Sequence, residues 1–341
     1  MLLSGSSSHV EFKTLSNLSC HMSLLRYSKS LDQIPSIADP HDLAKIFSCK
    51  LESILMIAAT PEMNYQTLFV AKPNGSARKL SVPNESLKSI QRKILHSILY
   101  HVTCHPAAKA YRLGYSIKSN ASYHVNQNTV LRLDISNFFN SISDIQVEKV
   151  FFNIGYNTQV SKLLSRLCCC HGCLPQGAPT SPALSNIVMH KIDRMIFGFC
   201  RSRYIKYTRY ADDMFFSGDF SLNQVISYVT SILSVNSFKI NQRKTKVMRR
   251  YTQQRVTGVT VNLKVSAPRD CRKYLRQQIH YLMRFGINDQ ALRNGTSKEA
   301  WLNRLIGFTS YIRYLEPENT DVKQYLEILD FEKTRLSHVK K

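Results

Sequence analysis

The 341-residue sequence contains no apolar run approaching the roughly 18 residues that cross a bilayer. Met1–Glu11 has no basic segment ahead of an apolar one, so neither secretion nor membrane insertion is expected. Glycine and proline are scarce, at 12 and 11 residues, which excludes collagen-like and linker-rich chains. The nine cysteines are odd in number and unevenly spread, in a chain long enough to fold without staples. They exclude a disulfide framework and read as reduced thiols of a cytoplasmic protein. Acidic residues are also short: 23 Asp and Glu stand against 46 Lys and Arg, a formal charge of +23.

What remains is a globular composition, 43% apolar and 20% charged. At roughly 100–200 residues per domain, it suits two or three compact units. So large a positive excess repels itself unless a polyanion shares the surface. Nucleic acid is the expected partner, since 17 Tyr and 16 Phe are available for stacking while Trp occurs once. Anionic lipid is the competing polyanion. The basic residues are concentrated: Lys239 to Arg284 holds thirteen Lys and Arg and the single acid Asp270, more than a solvated helix face requires.

Residues 1–36 are serine-rich and weakly periodic, a lead-in to the fold. Asp42–Ala59 and Ser86–His101 carry apolar residues at helical spacing, and between them Thr67–Val70 and Arg78–Val82 flank the turn signal Pro73-Asn74-Gly75, which predicts a hairpin. Thr129–Ile135 reads as a strand ending near Asp134, and Asp144–Ile154 as a helix capped by Ser143. Ser161–Cys169, Ala183–Phe199 and Leu222–Val235 read as further helices. Tyr204–Arg209 and Met214–Ser217 face each other across Tyr210-Ala211-Asp212-Asp213, a hairpin with acids at its tip. Arg255–Asn262 and Lys264–Ala267 read as strands. Beyond Pro268 the pattern is helical, with a helix over Arg269–Arg284 and a capping box of Thr296 and Glu299 opening the next. Adjacent antiparallel pairs mixed with helices predict an α+β fold.

Two consecutive carboxylates at a hairpin tip call for a cation. Asp134, closing another strand, can join them in one sheet, and oxygen donors without His or Cys suit Mg²⁺ or Mn²⁺. Two such ions about 4 Å apart can activate a hydroxyl and stabilise the leaving oxygen of a phosphoryl transfer. Taken alone, an Asp-Asp pair such as Asp212 and Asp213 is more often two solvated turn residues. They have company. Tyr210-Ala211-Asp212-Asp213 resembles the catalytic signature of reverse transcriptases, and Leu174-Pro175-Gln176-Gly177-Ala178-Pro179-Thr180-Ser181-Pro182 is similar to the nucleotide-contacting segment of the bacterial ones. Asp134-Ile135-Ser136-Asn137-Phe138-Phe139 resembles their first metal-binding motif, although Asn137 stands where relatives often carry an acid. Lys72 to Arg78-Lys79 and Leu87 to Arg92 match the fingers, and Asn241 to Thr245 the segment after the catalytic hairpin. Asn120-Ala121-Ser122-Tyr123-His124 and Val256-Thr257-Gly258 resemble two elements of the retron branch. Group II intron, diversity-generating and abortive-infection enzymes are its near alternatives.

The resemblance implies a right-hand polymerase fold. Residues 37–125 would form the fingers with the start of the palm, 126–265 the palm with inserted finger helices, and 266–341 a helical thumb with an RNA-binding C-terminal region. It implies that Asp134 and Asp212 hold two Mg²⁺ ions, or Mn²⁺, with support from Asp213 and the Ile135 carbonyl. Lys72 and Arg78 would clamp the triphosphate, Arg through a bidentate fork and Lys as a point charge. Phe139 would act as a steric gate against the 2′-hydroxyl, with core packing as its alternative, and Gln176 and Gly177 would meet the incoming nucleotide, glycine permitting close backbone approach. Lys244 is either the acid that protonates pyrophosphate or one more basic surface residue. Expected RNA contacts are Asn120, His124, Val256, Thr257, Gly258, Arg269, Arg272, Lys273 and Arg276, with His124 alternatively structural.

The partners implied are deoxynucleoside triphosphates and a cognate structured non-coding RNA, which serves as template and, through a 2′-hydroxyl, as primer. The product would be branched RNA-linked single-stranded DNA (msDNA), made in antiphage defence with a separate effector protein. The rivals are a bacterial reverse transcriptase with untemplated or protein-primed synthesis, and a non-catalytic RNA-binding scaffold. Cys168-Cys169-Cys170-His171-Gly172-Cys173 lacks the second ligand pair of a zinc site and reads as a buried helix end.

Overall fold

The computed structural model describes residues 33–71, 75 and 77–338. Most of the lead-in, the Pro73-Asn74 turn and Lys72 lie outside the described residues. The expected helix over 42–59 is two helices, α1 (Pro40–Ile46) and α2 (Leu51–Ala59). Ser48 takes φ +46, and the N–H groups of Ser48 and Cys49 return to the carbonyls of Lys45 and Ala44, closing α1 before the apolar pattern runs out. The expected hairpin forms: β1 (Tyr65–Ala71) pairs antiparallel with β2 (Ala77–Pro83), from Tyr65 opposite Pro83 to Ala71 opposite Ala77. Helix α3 (Glu85–Ser97) follows, its first turn capped by the Asn84 side chain accepting from the Leu87 N–H. A short helix α4 (Ile117–Ser122) opens on a capping box of Ser116 and Ser119.

The central sheet is antiparallel and four-stranded, in the order β4 (Lys206–Tyr210), β5 (Asp213–Gly218), β3 (Thr129–Asp134), β6 (Lys246–Arg249). Strand β6 is not legible in the sequence: three of its four side chains are exposed and two are charged, so only the buried Met248 marks it. Between β3 and β4 the chain runs through α5 (Asp144–Ile154), α6 (Thr158–Cys168), α7 (Ser181–Val188) and α8 (His190–Arg201); α9 (Leu222–Val235) follows β5. Ser143 caps α5 as expected, through a box with Gln146. The helix predicted over 183–199 is broken at Met189 into α7 and α8.

The sheet is buried on both faces, and the period of two sorts its side chains. Leu131, Leu133, Met214 and Phe216 pack into a large core with α1–α3 and α5–α9. Val130, Phe215 and Met248 face a second core shared with the C-terminal helices. Two-sided burial explains why Met214-Phe215-Phe216 is apolar without alternation. The expected strand over 255–262 is a tight hairpin of two-residue strands, β7 (Arg255–Val256) and β8 (Val259–Thr260). Thr257 and Gly258 turn it at φ +48 and +80. Beyond Pro268 come α10 (Arg269–Arg293), α11 (Lys298–Leu315) and α12 (Thr320–His338). Helix α10 outruns its predicted end and kinks at Gly286, whose φ +75 and ψ 170 interrupt the helical path. The cap of α11 is Ser297, which accepts from the Ala300 N–H, rather than the expected Thr296. Among the described residues no helix is long and apolar enough to cross a membrane.

Candidate active site

Antiparallel pairing of β3 with β5 sets Asp134 directly opposite Asp213, and the Ile135 N–H bonds the Asp212 carbonyl at 2.9 Å. All three acids therefore stand at one end of the sheet. The turn between β4 and β5 has only Ala211 and Asp212 inside the Tyr210–Asp213 pair, with Ala211 at φ +58. That conformation costs a residue with a Cβ about 1–2 kcal/mol, and surrounding bonds must hold it.

The carboxylates are unequally satisfied. Asp134 is 2% exposed; its Oδ2 accepts from Lys244 Nζ at 2.8 Å, while its buried Oδ1 has no hydrogen-bond partner. Asp213 Oδ1 accepts from Arg132 Nε at 2.8 Å and also faces Nη2 at 2.8 Å. Burial pushes the Asp213 carboxyl up to about 6 against the pull of Arg132. Burial also raises Asp212, with the charge of Asp134 adding to it and Lys244 and Arg132 opposing. Clustered, partly desolvated acids that resist ionisation are stabilised by a multivalent cation.

The donor set fits a hard divalent ion: the donors are oxygens, and one, Asp134 Oδ1, is buried and unpartnered. Among the described residues no three His, Cys, Asp or Glu side chains already form a closed metal cluster. Two of the three acids are occupied instead by Arg132 and Lys244. Lys244, left open between proton donor and surface residue, is thus the ion-pair partner of Asp134.

Behind the turn lies an ion pair that the sequence does not announce. Arg209 and Asp193 are both closed to solvent. Arg209 Nε and Nη2 donate to the Asp193 carboxylate at 2.9 and 2.7 Å, Tyr207 donates its hydroxyl to Asp193 Oδ1 at 2.8 Å, and Arg209 Nη1 donates to the Ala211 carbonyl at 3.0 Å. An arginine three residues before an aspartate carries no signal of this in sequence, because its partner lies on α8.

Of the expected nucleotide-contacting residues, Arg78 lies on the β1–β2 hairpin and Gln176 and Gly177 meet it at Ser81. Arg78 is exposed on β2 opposite Val70. The Gln176 carbonyl accepts from the Ser81 N–H at 2.8 Å. Gly177 sits at φ +135, and a Cβ there would lie 2.6 Å from the Ser81 carbonyl oxygen. The Ser81 backbone by itself therefore requires glycine at this position. Phe139 is half-buried, its ring centroid 5.5 Å from Phe138 and 6.4 Å from Tyr111.

Three expected RNA contacts are corrected by burial. Asn120, His124 and Val256 are each fully closed to solvent. His124 bridges two strands, with Nδ1 2.7 Å from Ser217 Oγ and Nε2 2.7 Å from Thr208 Oγ1. It takes the structural alternative, and burial depresses it to about 3, so the ring is neutral. Val256 belongs to the second core. Thr257 is half-buried and its hydroxyl donates to the Ile117 carbonyl at 3.2 Å, tying the β7–β8 turn to α4; Gly258 is exposed. Arg269, Arg272, Lys273 and Arg276 line a cleft of about 510 Å³ with Asn319, Tyr325 and a single acid, Asp321.

A reverse transcriptase (RNA-dependent DNA polymerase) family model matches residues 70–279, more than half of the chain and all three clustered acids. The chain belongs to the reverse transcriptases. Retron Ec86 reverse transcriptase of Escherichia coli is 32% identical over 255 residues, covering 73% of this chain and 79% of that protein. Retron Mx65 reverse transcriptase of Myxococcus xanthus is 34% identical over 278 residues, covering 76% and 63%. Retron Ec83 reverse transcriptase of E. coli is 28% identical over 280 residues, covering 77% and 86%. These relatives place this reverse transcriptase in the retron type, with the right-hand fold of its family. Among solved structures, apo telomerase from Candida tropicalis aligns over 61% of this chain and 56% of its own, at 11% identity and a TM-score of 0.43.

Proposed function

We propose that this reverse transcriptase copies a cognate structured RNA into single-stranded DNA, primed by a 2′-hydroxyl of that RNA, so that msDNA is the product. The observation that carries the polymerase reading is the β3–β5 pairing of Asp134 with Asp213 beside Asp212, with Asp134 Oδ1 buried and unpartnered. Asp134 and Asp212 would hold two Mg²⁺ ions, or Mn²⁺, with Asp213 and the Ile135 carbonyl in support. When bound, the ions lower the pKa of the attacking hydroxyl and stabilise charge on the leaving pyrophosphate. Arg132 pairs with Asp213, and Lys244, 2.8 Å from Asp134, balances the acids and would either protonate the leaving pyrophosphate or serve as their counter-charge alone. Arg78, with Lys72 beyond β1, grips the triphosphate; Gln176 and the Gly177 turn fix the floor of the nucleotide site against Ser81. Phe139 excludes the 2′-hydroxyl of ribonucleotides.

The RNA runs over the basic C-terminal face. Residues 37–125 act as fingers, 126–265 as palm and 266–341 as thumb. The four cations of the α10 cleft and the exposed Gly258 turn supply its contacts, through phosphates and shape respectively. The charge of +23 supports a polyanionic partner. The motif resemblance to the retron branch implies a role beside a separate effector protein in antiphage defence, in the cytoplasm. The deciding experiment is sequencing of nucleic acid that copurifies with the protein. A defined RNA covalently joined to DNA complementary to part of it is expected, and DNA unrelated to any bound RNA would favour untemplated synthesis.

A further inference from the structure

Loop 105–115 is built into the active site. The Arg209 N–H donates to the Ala107 carbonyl and the Lys109 N–H donates to the Arg209 carbonyl, both at 2.8 Å, so the loop is paired to β4 just before the acids. Arg112 Nη1 donates to the carbonyls of His105 and Ala108 at 3.1 and 3.0 Å, closing the loop on itself. On this anchored loop Tyr111 takes φ +59. An aromatic residue adopts that conformation only where its surroundings impose it, and such outliers concentrate at functional sites.

Core packing does not account for the strain, because Tyr111 remains 46% exposed. Its ring lies 6.4 Å from that of Phe139 at an interplanar angle of 44°. Partial burial and the charge of Asp212 hold its hydroxyl above the usual tyrosine range, with Arg209 and Arg78 opposing. Tyr111 is thus within electrostatic reach of both the catalytic turn and the fingers arginine. Among the described residues Phe139 has two aromatic ring neighbours, Phe138 at 5.5 Å and Tyr111 at 6.4 Å.

We infer that Tyr111 is a specificity-determining residue of the deoxynucleotide site, its ring backing Phe139 so that the gate cannot turn aside for a 2′-hydroxyl. This rests on Phe139 being the gate. The strained backbone is the device: at an ordinary φ the Cα–Cβ bond would leave in another direction, and the ring would no longer sit beside Phe139.

The test measures kcat and KM for matched deoxy- and ribonucleoside triphosphates on a primed RNA template. Tyr111→Leu is expected to relax the deoxy-to-ribo discrimination ratio roughly tenfold, mainly through a lower ribonucleotide KM. Tyr111→Phe keeps discrimination, because the ring does the backing. Tyr111→Gly removes the backbone strain, so it keeps or raises the melting temperature while discrimination falls; a merely structural tyrosine would not separate the two. In the Phe139→Ala background Tyr111→Leu adds nothing further. If Phe139→Ala relaxes discrimination and neither Tyr111→Leu nor Tyr111→Gly does, the assignment of Tyr111 is overturned while the gate stands. If Phe139→Ala leaves discrimination intact, the gate reading fails and takes the backing role with it.

Discussion

Arg209 Nη1 donates to the carbonyl of Ala211 at 3.0 Å while the other side of the same guanidinium is spent on Asp193, a group on α8. The strained turn that carries Asp212 is thereby fastened to a helix beneath the sheet. An isolated buried charge is costly, so removing either partner alone, as in Arg209→Gln or Asp193→Asn, is expected to destabilise the fold by about 3–5 kcal/mol. The variant Arg209→Met with Asp193→Leu and Tyr207→Phe, which also removes the hydroxyl that Asp193 accepts, should recover much of that stability, yet still lack the donor to Ala211. Thermal melting should show the recovery, and incorporation assays should show activity staying depressed. Full activity in the triple variant would mean the turn holds itself.

Asp212→Asn should abolish deoxynucleotide incorporation, by roughly three orders of magnitude or more, since an amide coordinates Mg²⁺ poorly and the charge stabilisation it forfeits is worth several kcal/mol. The same variant should bind RNA with near wild-type affinity in a filter or anisotropy assay. Burial raises the Asp212 carboxyl in the metal-free protein, so the substitution should not lower the melting temperature.

His124 makes stability acid-sensitive. Its folded pKa is depressed to about 3 from an ordinary 6.5, so the unfolded chain takes up the proton first. The stability is fully present above about pH 6.5 and falls as pH drops toward 3, by about 1.4 kcal/mol per unit from this group. Denaturant midpoints between pH 7 and pH 5 should show the fall, and in His124→Gln, which cannot titrate at this position, the fall should be shallower. Identical pH profiles would assign the acid limb to other groups, of which His105, lowered to about 4, is the next.

Gly177→Ala should disturb the fingers rather than only the nucleotide. A Cβ would sit 2.6 Å from the Ser81 carbonyl oxygen, on a backbone at φ +135, and neither can move without opening the Ser81–Gln176 bond. Overpacking against backbone costs about 1–3 kcal/mol. The expected result is a lower melting temperature with a raised KM for every deoxynucleotide alike.

Neutralising Arg269, Lys273 and Arg276 removes cations that line the α10 cleft. Affinity for RNA should fall, and its log–log salt dependence should flatten by about 0.7–0.9 for each phosphate that is no longer neutralised. Titrations at several salt concentrations measure this, and an unchanged slope would move the RNA path off α10.

Much of this protein was readable from neighbours in the chain. The acid-tipped hairpin, the Ser143 cap, the fingers hairpin and the α+β alternation follow from turn residues, capping side chains and apolar period, all of which act within a few residues. The excess of cations, and so the expectation of a polyanionic partner, follows from composition alone. Local pattern did not reveal the break at Ser48, the edge strand β6 with its single buried Met248, or the hairpin at Thr257-Gly258.

Only the tertiary structure decided which polar residues are interior. A charged arginine reads as a surface residue until Asp193 is found beside it, 16 residues away, and a histidine in a motif reads as a contact until Ser217 and Thr208, 93 and 84 residues away, enclose it. Gly177 likewise needs to be glycine because of Ser81, and Tyr111 gains its meaning from Phe139. Burial and pairing at such separations depend on how the elements pack, and the free energy of a polar group depends on that packing far more than on its flanking residues.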